Sequence, residues 1–592
     1  MLPAQQIQQN ATPREDPKHP PIPLFVIKST AIASLGGILF GYDMGVISGA
    51  LPQLEVAFDL SQRQQEMVVS FLYLGGGLGA AVGGTLCDMA GRRWCILFTD
   101  VVFIVGATIL CLSQNLTEIL VGRVVVGFAV AVSGIADVSY LHEIAPPEWR
   151  GSIVSCNEAC ISLGFLLAYL AGYVLSNDGI QDGWRIMFGL SAIIAIIQFI
   201  GMWGMPESPV WLRLKGRHRE SMQVLRSIHG DMPVSSFIAD HHDDVSQEKK
   251  TDIIVRKKSD EVNSTSSSRL NSQLPDPNME SGSFTPYHSI NDDASNKPSN
   301  DGRGTPARPI MIAYTDNSRS EHGFVGRYYE QWSRAVQIHH RQMYIALFLS
   351  VAQQLCGQAN VLNYAPHIFS DIGLASQSSL GSTLLIGVVK FITTVLVIWK
   401  IEYIGRRNLL LGGMTVITMS LALLVFDFAG IENSSDGEVN DDANEDDEVS
   451  AALKQSVGKE AMAVIGVMGI VLGYSASFGP LTWLLTSELF PTDIRGRALG
   501  ISTIVTYLCA SLVSSTFLTS QEKFGIAMPF ATYGIITAIG TVFVYLAVPD
   551  TGGKNTEEIR QDLDQMWWWD CNSSSNSRQT VARRRGETGQ YV

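Results

Sequence analysis

The chain has 592 residues, 46% of them apolar and only 17% charged, with a mean hydropathy of +0.16. That charge content lies below the roughly one quarter of ordinary soluble domains. The charges are also gathered into patches, leaving whole windows of about 20 residues with one charge or none, the length a helix needs to cross about 30 Å of hydrocarbon. A soluble globular protein is excluded on these grounds. The net charge of −14 is carried largely by two polar inserts and suggests neither a nucleic-acid nor a polyanion partner.

Residues 1–23 are polar and proline-rich and are expected to form a disordered cytoplasmic N-terminus. No cleavable signal pattern is present, so the first apolar span is expected to act as an uncleaved anchor. Six apolar windows follow, near 25–50, 66–87, 94–113, 118–140, 153–176 and 185–204, giving a first unit over 24–204. A polar segment, 205–341, is rich in Ser, Asn, Asp and Pro. Its middle, about 235–325, has too little apolar surface to offset chain entropy and is expected to be disordered. Six further windows lie near 342–365, 379–400, 408–429, 459–485, 498–519 and 526–548. They make a second unit, 342–548, interrupted by an acidic insert at 431–450 that contains NDDANEDDE. Residues 549–592 form a tail in which WWWD (567–570) and VARRRG are expected to lie at the inner membrane surface. The fold class expected is an all-α membrane protein of twelve transmembrane helices.

Basic clusters fix the orientation. GRR at 91–93, WRG at 149–151, GRR at 405–407 and IRGR at 494–497 fall in links on one side, which the positive-inside rule makes cytoplasmic. The acidic insert and the sequons at Asn115 and Asn433 fall on the other side. The eight cysteines lie mostly in or beside apolar spans, without metal spacing or a disulfide framework, and read as small packing residues. Neither a metal nor a cofactor is expected. Gly75, Gly79 and Gly83 repeat every four residues and predict a helix-packing face.

The halves repeat. DMAGRR at 88–93 matches EYIGRR at 402–407, EIAPPEWRG at 143–151 matches ELFPTDIRG at 488–496, and PESP at 206–209 has a weaker echo in PDTG at 549–552. The chain is therefore expected to be two six-helix pseudo-repeats, a recurring transporter plan.

These ordered motifs resemble the sugar porter family of the major facilitator superfamily across all twelve spans. FGYDMGVISGAL, QQEMVVS and GQANVLNYA are most similar to the class III glucose transporter subgroup, which has an enlarged outer loop. The resemblance implies the major facilitator fold and a transporter, not an enzyme. It implies that Asp88, Arg92 and Arg93, with Glu143 and Arg150, and in the second half Glu402, Arg406 and Arg407, with Glu488 and Arg495, form inter-helix salt-bridge clusters that hold one state and break in the other. Met89 departs from the basic residue usual at its place.

Asp43 lies about 22 Å along a helix from Lys28, near the bilayer midplane, where a charge is costly and a functional hypothesis by default. The resemblance implies Arg123 as its partner and a proton as its ligand. In that cycle Asp43 takes a proton outside, its bond to Arg123 loosens, sugar binds, and release of the proton inside re-forms the pair. A static ion pair in a facilitative carrier is the alternative. Three more intramembrane charges stand out: Asp137, Glu158 and Lys390. Glu158 and Lys390 take places where relatives bind sugar, and they either face the cavity or pair with each other. Asp137 is a second proton site or the wet end of its span.

A sugar offers hydroxyls and an apolar ring face, so its site needs amides and an aromatic wall. The resemblance assigns Gln353 and Gln354 as ligands, with Gln358 and Asn360 on an altered spacing, a helix break before Pro366, and Trp483 as the wall. Gly479 and Pro480 are expected to interrupt their helix. Ser475, Thr506, Tyr507 and Ala510 replace family residues of other polarity, which loosens the case for glucose itself. The function expected is a hexose transporter using alternating access and coupled to protons, with a uniporter, a polyol or inositol carrier, or a non-transporting sugar sensor as alternatives. The partners expected are a small sugar, protons and the lipid bilayer. The plasma membrane is the expected site, with an endomembrane left open.

Overall fold

The computed structural model describes residues 22–146, 149–176, 182–229, 339–371, 376–435, 445–552, 554 and 556–565. Every regular element among them is a helix. Among the described residues, twelve helical segments are long and apolar enough to cross a membrane. The first half contains α1 (Leu24–Ala33), α2 (Leu35–Phe58), α3 (Gln62–Ala90), α4 (Arg92–Leu112), α5 (Leu116–Ile144), α6 (Arg150–Leu175) and α7 (Gly183–Trp203). Two short helices follow, α8 (Pro209–Leu214) and α9 (His218–His229). The second half contains α10 (His340–Leu355), α11 (Gln358–Asn363), α12 (Ala365–Asp371), α13 (Ser376–Ile404), α14 (Arg406–Ser435), α15 (Glu445–Ala476), α16 (Phe478–Leu489), α17 (Thr492–Ser514), α18 (Phe517–Phe524) and α19 (Ala527–Ala547), with α20 (Thr556–Gln565) in the tail. The N-terminal tail to residue 21, the linker middle, the WWWD run and the heart of the acidic insert lie outside the described residues. The ends of that insert are helical, extending α14 to Ser435 and starting α15 at Glu445.

Local chemistry sets the helix ends. Ser61 and Gln64 form a capping box at α3. Asn115 caps α5 by accepting from the Glu118 backbone N–H at 3.0 Å, while its own amide donates to Glu118. The repeated GRR links make the same turn twice: Gly91 has φ 102° and Gly405 φ 87°, values that a side chain rarely adopts. Gly75, Gly79 and Gly83 let α3 press against α5, since a Cβ on any of them would strike Val124, Phe128 or Ile135.

The seventh span is broken before Pro366, as expected, whereas the tenth breaks ahead of Gly479 and Pro480 rather than at them. The seventh span breaks at Cys356–Gly357, where Gly357 has φ 78°, and again at Tyr364. Pro366 simply sits in the first turn of α12, where its missing N–H costs nothing. The tenth span breaks at Ser477 (φ −120°, ψ −89°), and Pro480 again occupies the first turn of the new helix. The eleventh span is likewise split, at Ser515–Thr516.

The two halves meet along α3 with α17 and along α6 with α13. These pairs are equivalent under the internal repeat, as expected of two related six-helix bundles.

Candidate functional site

Inside the first bundle, Asp43 of α2 and Arg123 of α5 are each 1% exposed. They do not form the expected carboxylate–guanidinium pair. Arg123 Nη1 donates to the backbone carbonyl of Asp43 at 3.3 Å, and its Nε donates to the Val68 carbonyl of α3 at 3.1 Å. The Asp43 carboxyl instead faces the Ser191 hydroxyl of α7, and its Oδ2 has no partner among the described residues. Two guanidinium nitrogens are engaged by main-chain oxygens on two helices, and the Asp43 carboxyl lies away from them.

Between the halves lies a polar cluster. Gln353 of α10 donates through Nε2 to the Tyr474 hydroxyl of α15 at 2.9 Å, while its buried Oε1 has no partner among the described residues. Lys390 of α13 holds its ammonium 4.9 Å from the Phe165 ring centre of α6 and 5.5 Å from that of Tyr474. Glu158 of α6 is partly exposed and acts on Lys390 electrostatically, yet the two make no ion pair within 4.0 Å. A Cβ on Gly479 would lie 3.5 Å from Glu158 Oε1, so α6 and α16 meet there. Trp483 follows Gly479 by four residues, on the same face of α16. It is 41% exposed, and lies one turn nearer the end of the bundle that carries Arg406 and Arg407. Five helices thus converge on amides, a hydroxyl, two opposite charges and an aromatic ring.

The remaining expected ligands sit differently. Gln354 is buried with no described bond, and Gln358 is buried with a free Nε2. Asn360 is fully buried, and its amide nitrogen is committed to the Val513 carbonyl at 3.1 Å and the Tyr533 hydroxyl at 2.9 Å. Only its carbonyl remains for a ligand.

The halves are joined by side-chain bonds from the middle of the bundle outward to the acidic-insert end. Ser162 donates to Thr394 at 2.9 Å, Tyr169 to the Leu362 carbonyl at 3.3 Å, and Asn363 to the Tyr73 hydroxyl at 2.9 Å. Glu66 accepts from the Thr519 backbone N–H and hydroxyl, both at 2.7 Å. Tyr364 stacks on Phe517 at 5.2 Å.

The basic end carries the two expected charge clusters. Arg92 bonds Glu143 at 3.0 Å with both side chains 12% exposed, whereas Asp88, at 3.3 Å, is 75% exposed and contributes little. Arg93 donates to the carbonyls of Met202 and Trp203, and its backbone N–H to Glu207. In the second half Arg406 lies 3.6 Å from Glu488, Arg407 donates to the Tyr545 carbonyl, and Arg495 to that of Phe490. Arg150 and Arg495 both act electrostatically on His142. The side chain of Glu402 lies outside what the structure describes. Ser208 donates to Glu143, and Thr551 donates to Glu488 at 2.5 Å, so PESP and PDTG perform the same task in the two halves.

Tyr474, Phe165 and Glu66 were not singled out from sequence. Neither was Asp100, a second buried carboxylate close to Asp137. No motif marks Tyr474 or Phe165. Glu66 and Asp100 were visible as lone acids in apolar helices.

Two six-helix bundles enclosing a polar cluster define a multi-pass membrane transporter of the major facilitator fold. The family model for sugar (and other) transporters matches residues 29–271 and 299–563, and the chain belongs to that family. Relatives are similar over nearly the whole length. Facilitated glucose transporter member 10 of Danio rerio is 28% identical over 563 residues, 91% of this chain and 93% of its own. Facilitated glucose transporter member 12 of Xenopus laevis is 26% identical over 97% of this chain and 96% of its own. Glucose transporter GlcP of Staphylococcus epidermidis is 28% identical over 90% and 96%. Among solved structures, the proton:xylose symporter XylE bound to 6-bromo-6-deoxy-D-glucose superposes with a TM-score of 0.65 at 23% identity, covering 91% of this chain and 99% of that one. Its inward-open form gives 0.62 at 23%, over 90% and 99%. At these identities the likeness shows the fold.

Proposed function

We propose that the protein carries a hexose-type sugar across a membrane by alternating access, driven by protons that bind Asp43. The basic end faces the cytoplasm in this reading, and the plasma membrane is its place. The sugar sits among Gln353, Gln354, Gln358, Glu158 and Lys390, with Trp483 beneath its ring and Tyr474 orienting Gln353. Amides and a carboxylate accept and donate to hydroxyls, and the indole covers the apolar face. The bonds of Glu66, Tyr73 and Tyr169 across the halves suit a state closed on the outside.

The single observation that carries the coupling is the Asp43 carboxyl. It is buried at mid-membrane, its Oδ2 is unpartnered, and the nearby guanidinium bonds only its backbone. An ionised carboxylate there would turn toward Arg123, while a protonated one has no need to. Protonation at Asp43 would therefore free Arg123 for the backbone bonds seen, and deprotonation would re-form the ion pair. Uptake of labelled hexose with simultaneous current, at two outside pH values, tests this. A facilitative uniport reading is favoured by the relatives described as facilitated glucose transporters. In that reading uptake carries no current.

A further inference from the structure

A second buried acid site lies inside the first bundle. Asp137 of α5 and Asp100 of α4 are each 1% exposed; the two helices pack together, and from the Arg92–Glu143 bond Asp100 and Asp137 stand about 12 and 9 Å along them, at nearly the same level. Neither has an ion-pair partner among the described residues, and Asp100 Oδ2 has no hydrogen-bond partner there. Ser133 Oγ donates to Asp137 Oδ2 at 2.5 Å, the range of a hydroxyl on an ionised carboxylate. Gln198 of α7 is 0% exposed. Its Nε2 lies 3.5 Å from Asp137 Oδ1, and its carbonyl Oε1 has no partner. The backbone makes room for this arrangement: a Cβ on Gly36 of α2 would strike the Asp137 carboxyl and the Gln198 amide.

The surrounding charges do not neutralise the pair. On α4, Cys95 hydrogen-bonds Cys87, Arg92 is engaged by Asp88 and Glu143, and the Arg93 guanidinium by the carbonyls of Met202 and Trp203. On α5, Glu143 answers Arg92 and Ser208, and His142 lies at the basic end. Lys28 of α1 is exposed, Cys156, Glu158 and Cys160 belong to α6, and Asp43 is seven residues beyond Gly36 on α2, about 10 Å along its axis. α7 offers only Gln198 at this level. Two carboxylates buried together without a cation cannot both ionise.

We propose that Asp100 and Asp137 hold one proton between them, in a pocket built from first-half helices alone and separate from the sugar cluster. The proton rests on Asp100, and Asp137 stays ionised under the donors of Ser133 and Gln198. The step is protonation of one carboxylate oxygen by hydronium, which is left as water, with no other reactant. The site stands independently of coupling at Asp43.

The test is infrared difference spectroscopy on the full-length purified protein in lipid nanodiscs at neutral pH, comparing wild type with the Asp100→Asn/Asp137→Asn double variant. The expected difference is the loss of one carboxylic-acid C=O band together with one carboxylate band. Loss of two acid bands, or of two carboxylate bands, overturns the shared proton. If the double variant does not fold, Asp100→Asn alone is expected to lose the acid band and keep the carboxylate. Retention of the acid band in that variant contradicts the assignment. Wild-type melting that rises when sodium replaces choline, and ceases to rise in the variants, would make the ligand a metal cation and overturn the proposal.

Discussion

Arg123 binds the main-chain carbonyl of Asp43 and leaves the Asp43 carboxyl group to face α7. The same guanidinium reaches Val68, so one side chain ties α2, α3 and α5 together. Both acceptors are carbonyls on different helices, which the guanidinium reaches from two separate nitrogens and an ammonium would have to reach from one. Arg123→Lys is therefore expected to cut sugar uptake at least tenfold and to lower the melting temperature, although charge is retained. Surface-normalised uptake and a thermal melt check both. Wild-type uptake in this variant would mean that only the charge matters.

Trp483 shares the face of α16 that meets Glu158 through Gly479. Covering about 50 Å² of apolar ring face is worth about 1.3 kcal/mol at roughly 25 cal/mol per Å². Trp483→Ala should weaken sugar binding up to about tenfold, read as a rise in KM with surface expression unchanged. An unchanged KM removes Trp483 from the site.

Glu66 grips the first turn of α18 through Thr519 and joins the halves at the acidic-insert end. Hydrogen bonds to a charged group are worth about 1.5–3 kcal/mol each. Glu66→Gln keeps the shape and removes the charge, so it should shift the population toward outward opening. A cysteine placed at Ser70, buried under this contact, is expected to react several-fold faster with an impermeant outside reagent in the Glu66→Gln background. Equal rates would show that Glu66 is no latch.

Ser208 and Thr551 bond equivalent carboxylates, Glu143 and Glu488, that also hold Arg92 and Arg406. Each hydroxyl donates to a carboxylate, so removing either should loosen the corresponding basic-end cluster by about 1.5–3 kcal/mol. Ser208→Ala and Thr551→Val are expected to change the uptake rate in the same direction and by similar factors of a few. Opposite effects would break the functional equivalence of the two halves.

Much of this was legible in the chain. Spans show because an uninterrupted apolar window of about 20 residues has few other uses. The repeat showed because both halves need the same charged turn, down to the positive φ of Gly91 and Gly405. Even the faint echo of PESP in PDTG carried the Ser208 and Thr551 hydroxyls. The seventh-span break fell before Pro366 as expected, but the tenth-span break lies at Ser477 rather than at Gly479 and Pro480, because proline marks the new first turn, where its missing N–H is harmless. For Asp43 and Arg123 the sequence named the neighbours but not the contacting atoms. Asp100 was lost inside the window FTDVVF, where one acid hardly changes the average. Tyr474 has no motif, and only packing reveals that it orients Gln353.

The central claim is that Asp43 carries the coupling proton. The most direct measurement is current and labelled-hexose uptake in voltage-clamped oocytes, at outside pH 5.5 and 7.5, for wild type and Asp43→Asn. The account predicts a sugar-dependent inward current that grows at pH 5.5 in wild type, and a variant without current or uphill accumulation that still exchanges sugar. Uptake in wild type without current and without pH dependence would contradict it and make the protein a uniporter.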